Sequence, residues 1–140
     1  MKKIIVALIG IFLASILVIF AQSSKPNAGT LEENVQVDTF KVLVEKAVAD
    51  TGMILIDVRT PAEFNSGHIS GAVNIDYKSA DFEKKIEQLD KSKTYLLYCR
   101  SGNRSGRALQ VMKSAGFKKV VHLAGGIKAW NAKNLSLVSD

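Results

Sequence analysis

Short apolar runs alternate with amphipathic segments along this chain, and that alternation limits its fold more than any other feature. Residues 53–58 (MILIDV) and 95–98 (YLLY) are nearly continuous apolar runs, which predict strands covered on both faces. Residues 72–75 and 120–123 predict shorter strands. Because helical segments separate these strands, we expect a small α/β domain with a mainly parallel sheet flanked by helices.

Apolar residues at helical spacing mark the segments between the strands. The first such segment runs from Phe40 to Val48, with Asp38 or Thr39 as its N-cap. Four further helices are expected at residues 61–64, 82–89 and 108–115 and after the Gly125-Gly126 pair.

An apolar run at residues 4–20 follows two lysines, which is the layout of a secretory signal. The lysines are expected to stay in the cytoplasm, so the rest of the chain would be periplasmic or anchored on the outer face of the cytoplasmic membrane. Residues 1–23 are predicted to be a cleaved signal peptide or an uncleaved anchor, residues 24–34 a linker and residues 35–135 one domain. A buried core helix is less favoured because the run has no polar face.

Charge and ligand chemistry exclude several classes of function. The formal net charge is +6, but the basic residues are scattered among acids such as Glu83, Glu87 and Asp90. Without a dense basic run, no nucleic-acid partner is expected. The two histidines and the single cysteine are far apart in sequence, so neither a metal site nor a cofactor is expected.

Cys99 is the only cysteine, so it cannot form an internal disulfide. We expect it to be either buried and inert or exposed and reactive. It directly follows the 95–98 strand, at the sheet edge where α/β folds bind ligands. Small, turn-permitting and cationic residues then lead from Arg100 into a helix. Main-chain N–H groups, the helix N-terminus and the Arg100 and Arg104 side chains would all favour the thiolate.

Three segments resemble the signatures of rhodanese-like sulfurtransferases: residues 56–75 (IDVRTPAEFNSGHISGAVNI), 99–104 (CRSGNR) and 123–130 (LAGGIKAW). The resemblance implies a rhodanese-like domain with a five-stranded parallel sheet flanked by helices. It also implies an enzyme of the thiosulfate sulfurtransferase type, in which Cys99 carries sulfur as a persulfide and no cofactor is needed.

The same resemblance implies a small anionic sulfur donor such as thiosulfate, and an acceptor that is cyanide or a thiol, including a protein thiol. Arg100 and Arg104 are expected to bind the donor and stabilise its charge. The other loop residues are expected to contribute main-chain N–H groups, and they are Ser101, Gly102, Asn103 and Ser105.

Two other functions remain open. The domain could be a persulfide carrier or docking module that passes sulfur to a protein partner. A cysteine phosphatase or arsenate reductase is less favoured, because those enzymes keep an arginine six positions after the cysteine, where this chain has Ser105. A thiol that keeps its proton well above about pH 8, or that is sealed from solvent, would contradict an enzymatic role.

The remaining polar and aromatic candidates are expected to be structural. Asp57, Arg59 and Glu63 are interpreted as an ion-pair arrangement that fixes the turn after the 53–58 strand. His68 is interpreted as a structural hydrogen-bonding residue, and His122 and Trp130 simply as core or surface residues.

Overall fold

The computed structural model describes residues 33–50 and 52–139. The predicted export segment at residues 1–23 lies outside the described residues, as does all of the predicted linker except its last two positions. Within the described part of the chain, none of the helices has the length and apolar character needed to cross a membrane.

A five-stranded sheet, in which every strand pair is parallel, forms the centre of the domain. The strands, in chain order, are β1 (Asn34–Val35), β2 (Met53–Asp57), β3 (Val73–Asn74), β4 (Thr94–Tyr98) and β5 (Val120–Leu123). Their spatial order is β1-β5-β4-β2-β3. The helices are α1 (Val37–Ala49), α2 (Pro61–Asn65), α3 (Phe82–Glu87), α4 (Asn103–Ser114) and α5 (Gly126–Ala132). The predicted α/β domain with a parallel sheet is confirmed.

The central strand β4 divides the hydrophobic core into two layers. Leu96 and Tyr98 belong to the apolar cluster that includes residues of α1 and α5, whereas Tyr95 and Leu97 belong to the cluster that includes residues of α3 and α4. All five residues of β4 are buried, because helices cover both faces of the sheet. This explains why YLLY has no polar alternation, and it places the end of β4 in the middle of the domain.

Three details differ from the sequence-based expectations. Helix α4 begins at Asn103, five residues before the predicted helix at residues 108–115, so Asn103, Arg104 and Ser105 lie in its first turn and not in the loop. The strand β1 was not predicted from the apolar pattern, because two residues are too few to show a period. Helix α1 begins at Val37 with Gln36 as its N-cap, rather than at Asp38 or Thr39. The earlier start follows from the hydrogen bond that the Phe40 N–H donates to the Gln36 carbonyl at 2.9 Å.

His68 and Trp130 are structural, as predicted. The buried His68 ring stacks on Phe64 with 3.7 Å between ring centroids, and its Nδ1 lies 3.0 Å from the Phe64 carbonyl oxygen. The Trp130 indole is buried and donates to the Ser136 carbonyl at 3.1 Å. These contacts tie α2 and the C-terminal residues to the domain.

Candidate active site

Cys99 lies immediately after β4, and the short turn that follows it leads directly into α4. Gly102 is the N-cap of α4 and has a φ of 95°, a left-handed conformation that favours glycine. A Cβ at this position would lie 3.1 Å from the Gly125 nitrogen, so space also favours glycine. The turn brings the chain back over the cysteine side chain.

The sulfur of Cys99 accepts hydrogen bonds from this turn and from the first turn of α4. The Gly102 N–H lies 3.1 Å from Sγ, and the Ser105 hydroxyl lies 3.5 Å from it. Burial raises the pKa of the thiol. The Ser105 hydroxyl and the N–H groups of Ser105, Ser101 and Gly102 lower it by a larger amount, so the net effect is a depressed pKa. Hydrogen bonds are therefore the main favourable contribution to the thiolate.

The thiol is buried, which differs from the expectation that a reactive cysteine would be exposed, and in this conformation it meets the condition that would contradict an enzymatic role, a sulfur sealed from solvent. Only 1% of the Cys99 surface is accessible, because the turn and α4 cover it. Burial and activation are not alternatives here, since the groups that cover the sulfur are also its hydrogen-bond donors. Reaction at the sulfur therefore requires the residues that cover it to move.

Helix α5 contacts the cysteine loop through main-chain hydrogen bonds. The Ile127 N–H donates to the Cys99 carbonyl at 2.8 Å, and the Lys128 N–H donates to the Arg100 carbonyl at 3.1 Å. Gly126 has a φ of 59°, and a Cβ there would lie 2.5 Å from the Cys99 carbonyl oxygen. The Gly125-Gly126 pair was predicted only as the start of a helix; its contact with the cysteine loop was not predicted.

Arg104 forms an ion pair with a carboxylate from another segment. Its Nη1 donates to Glu63 Oε2 and its Nη2 donates to Glu63 Oε1, each at 2.8 Å. The same carboxylate accepts from the Thr60 N–H and hydroxyl, which completes a capping box at the start of α2. Arg104 is the largest cause of the Glu63 pKa being lowered to about 2, while partial burial opposes that shift. The loop arginine is thus held in place and its charge is balanced.

The predicted ion-pair arrangement after β2 is formed, but it involves two of its three expected members. Asp57 and Arg59 are both buried and pair at 2.6 Å, and Arg59 also donates to the Gly67 carbonyl at 2.7 Å. Glu63 instead faces Arg104. No local signal in the sequence indicates this pair, because 41 positions separate its members.

Three of the other predicted site residues have exposed side chains. Arg100, Ser101 and Asn103 are exposed, and none of the carboxylates in the described ranges forms an ion pair with Arg100. In the same described ranges, no three His, Cys, Asp or Glu side chains are grouped so as to hold a metal ion. Arg100 is thus the cationic side chain of the loop that is available to an incoming anion.

His122 is the residue whose position was least expected. It lies on β5, half-buried, with its Nδ1 at 3.1 Å from the Ser105 hydroxyl oxygen. Burial lowers the pKa of its imidazole. The interpretation of His122 as a plain core or surface residue is therefore incomplete, since it contacts a side chain that contacts Cys99.

The chain is similar to known proteins over most of this domain. Residues 40–133 match the model of the rhodanese-like domain. A putative sulfurtransferase of Bacillus subtilis is 42% identical, covering 65% of this chain and 85% of that protein. An uncharacterized Synechocystis protein is also 42% identical over 61% of this chain, which spans only 47% of that protein's length. The solution structure of a rhodanese-like domain from Anabaena superimposes with a TM-score of 0.67 at 26% identity, covering 79% of this chain and 81% of that one.

Together with the parallel sheet and the cysteine at the end of its central strand, the match over residues 40–133 shows that this chain belongs to the rhodanese-like domain family.

Proposed function

We propose that this protein is a sulfurtransferase that moves sulfane sulfur from a donor such as thiosulfate to a thiophilic acceptor through a persulfide on Cys99. The observation that carries the proposal is the depressed pKa of a thiol that accepts from Gly102 and Ser105 at the end of the central strand. The name of the Bacillus subtilis relative, a putative sulfurtransferase, supports the same reaction class.

The reaction proceeds in two displacements. The Cys99 thiolate attacks the outer sulfur of thiosulfate, a new S–S bond forms, and the original S–S bond breaks as sulfite leaves with its electron pair. An acceptor such as cyanide then attacks the outer sulfur of the persulfide. Thiocyanate forms, and the electron pair of the broken bond returns to Cys99 as the thiolate. The donors around Sγ stabilise the negative charge before and after each step.

The two loop arginines have different roles in this proposal. Arg100 is exposed and attracts the anionic donor. Arg104 already donates to both oxygens of Glu63, so it contributes mainly by holding the loop and less by binding the donor directly.

The sulfur-carrier function shares the first displacement and differs only in the acceptor, which would be a protein thiol. It is supported by the name of a putative sulfur carrier protein of Bacillus subtilis, which is 32% identical over 112 residues that cover 80% of this chain. A phosphatase or arsenate reductase is disfavoured because Ser105 occupies the position of their loop arginine. We also propose that the protein is exported, with residues 1–23 as signal or anchor.

Intact-mass analysis after incubation with thiosulfate tests the proposal. The protein is expected to gain one sulfur atom, which cyanide removes as thiocyanate, and the Cys99→Ser variant is expected to gain none. Absence of the gain in the unmodified protein, or its persistence in Cys99→Ser, would overturn the proposal. A persulfide that resists cyanide but leaves to a protein thiol identifies the carrier. The mass of the exported protein also shows whether residues 1–23 have been removed.

A further inference from the structure

A hydrogen-bonded chain connects the Cys99 sulfur with a histidine that the sulfur-transfer mechanism does not use. The Ser105 hydroxyl oxygen lies 3.5 Å from Cys99 Sγ and 3.1 Å from His122 Nδ1. Ser105 is fully buried in the first turn of α4, so water does not compete for its hydroxyl. His122 comes from β5, on the other side of the contact between helix and sheet.

The hydroxyl group has one hydrogen and three nearby acceptors. They are Cys99 Sγ, His122 Nδ1 and the Gly102 carbonyl oxygen, which lies 3.3 Å away. If Nδ1 is unprotonated, it accepts the hydroxyl hydrogen at the shortest of the three distances. If Nδ1 carries a hydrogen, it donates to the Ser105 oxygen, and the hydroxyl hydrogen is left for the sulfur or the Gly102 carbonyl, of which the anionic thiolate is the stronger acceptor.

We propose that His122 is a positioning residue that, as the neutral tautomer protonated at Nδ1, directs the Ser105 hydroxyl hydrogen to the Cys99 thiolate. The inference rests on the proposed function in that the thiolate is the nucleophile. No proton leaves the ring in this role; the imidazole only fixes which way the hydroxyl points. The same orientation stabilises the anionic persulfide after the first displacement.

The surroundings of His122 favour a neutral ring. Its sheet neighbours are Leu97 on β4 and Asn34 on β1, and on α4 a Cβ added to Gly106 would lie 3.4 Å from its Cε1. The main-chain N–H of His122 donates to the Glu33 carbonyl, while the Glu33 carboxylate pairs with Lys113 of α4 at 2.6 Å. Within the described residues no carboxylate pairs with the imidazole, and burial lowers its pKa below 6.5.

The test is the pKa of the Cys99 thiol, obtained on the full chain from the pH dependence of alkylation by iodoacetamide, which reacts with the thiolate. His122→Leu removes the donor, so the Ser105 hydroxyl can turn to the Gly102 carbonyl, and partial loss of its hydrogen bond to the thiolate should raise the thiol pKa by about 0.5 to 1. His122→Asn places an amide N–H near the position of Nδ1 and should restore most of that difference. Thermal unfolding of both variants shows whether they remain folded.

The Ser105→Ala background separates positioning from general destabilisation. With the hydroxyl gone, His122→Leu should raise the thiol pKa no further, because its effect passes through Ser105. An unchanged thiol pKa in His122→Leu, failure of His122→Asn to restore it, or a rise that persists in Ser105→Ala would overturn the inference. Formation of a persulfide by the unmodified protein is a separate measurement, so the proposed function can fail or hold independently.

Discussion

Glu63→Gln should destabilise the domain at neutral pH, and the loss should disappear as the pH falls. The substitution keeps the size of the side chain but removes the charge that pairs with Arg104 at 2.8 Å on each oxygen. Gln retains one oxygen for the Thr60 N–H, so the cap of α2 remains partly formed. The ion pair between α2 and α4 is therefore the main interaction removed.

The magnitude follows from the pKa of Glu63, which is lowered from 4.5 to about 2. Since each pKa step corresponds to about 1.4 kcal/mol, the difference sets an upper bound of about 3 kcal/mol on the contribution of the ionised carboxylate. The Glu63 side chain is 30% exposed, and solvent screening reduces this to about 1–2 kcal/mol. Because the folded pKa is lower than the unfolded one, the contribution is present above about pH 4.5 and is lost as the pH falls towards 2.

Urea unfolding at several pH values between 7 and 2 measures this effect, using the free energy of unfolding of both proteins. The difference between the unmodified chain and Glu63→Gln should be about 1–2 kcal/mol at pH 7 and should shrink towards zero near pH 2. Glu87→Gln, an exposed site on α3, is the matched control and should show a difference below about 0.5 kcal/mol. A Glu63→Gln difference that is independent of pH would refute the assignment to the ionised carboxylate.

Three further predictions concern the cysteine loop. Gly126→Ala should lower the free energy of unfolding in urea by about 2–4 kcal/mol, because the added Cβ would lie 2.5 Å from the Cys99 carbonyl oxygen. The control Gly116→Ala also has a positive φ, but no described atom beyond its chain neighbours lies closer than 4.0 Å to the added Cβ, so it should lose only about 1–2 kcal/mol. Equal losses in the two variants would contradict the steric argument. After correction for intrinsic reactivity, iodoacetamide should alkylate Cys99 at least about tenfold faster than a bulky maleimide, because the sulfur is buried. A tenfold difference in rate requires only about 1.4 kcal/mol of extra steric barrier for the larger reagent. Equal rates would show that the sulfur is open to solvent. Arg100→Ala should raise the KM for thiosulfate by about two- to fivefold, which corresponds to the free energy of one exposed charge contact. Arg107 is also exposed, and Arg107→Ala should leave the KM unchanged. Equal effects of the two substitutions would contradict a specific role for Arg100.

The sequence predicts the part of the site that is continuous along the chain. The strand 95–98, Cys99 and the turn before α4 are adjacent in sequence, so the apolar run and the Gly-Asn pair locate them directly. The predicted strand at residues 120–123 coincides with β5, because Gly125 interrupts the apolar run soon after its end. The two-residue strand β1 has no such signal.

Contacts between distant segments could not be predicted in this way. The Glu63–Arg104 pair and the Ser105–His122 hydrogen bond join residues 41 and 17 positions apart. Each depends on the strand order of the sheet, which places β5 and β2 on opposite sides of β4. A single sequence with one histidine on an apolar strand gives no indication of which helix residue it will meet, so His122 could only be interpreted as core or surface.

The contact with α5 explains how the pKa of a buried thiol can still be lowered. In a planar trans peptide the C=O and N–H groups point in opposite directions. The Arg100 carbonyl accepts from the Lys128 N–H at 3.1 Å, so the N–H of the same peptide, which belongs to Ser101, is turned away from α5 and towards the sulfur. Each hydrogen bond to a charged group contributes about 1.5–3 kcal/mol, so the Ser101 N–H fixed in this way, together with the Gly102 N–H and the Ser105 hydroxyl, offsets the desolvation that opposes ionisation. Helix α5 therefore orients a loop peptide whose N–H helps to lower the pKa of Cys99, although none of the hydrogen bonds to Sγ comes from α5 itself.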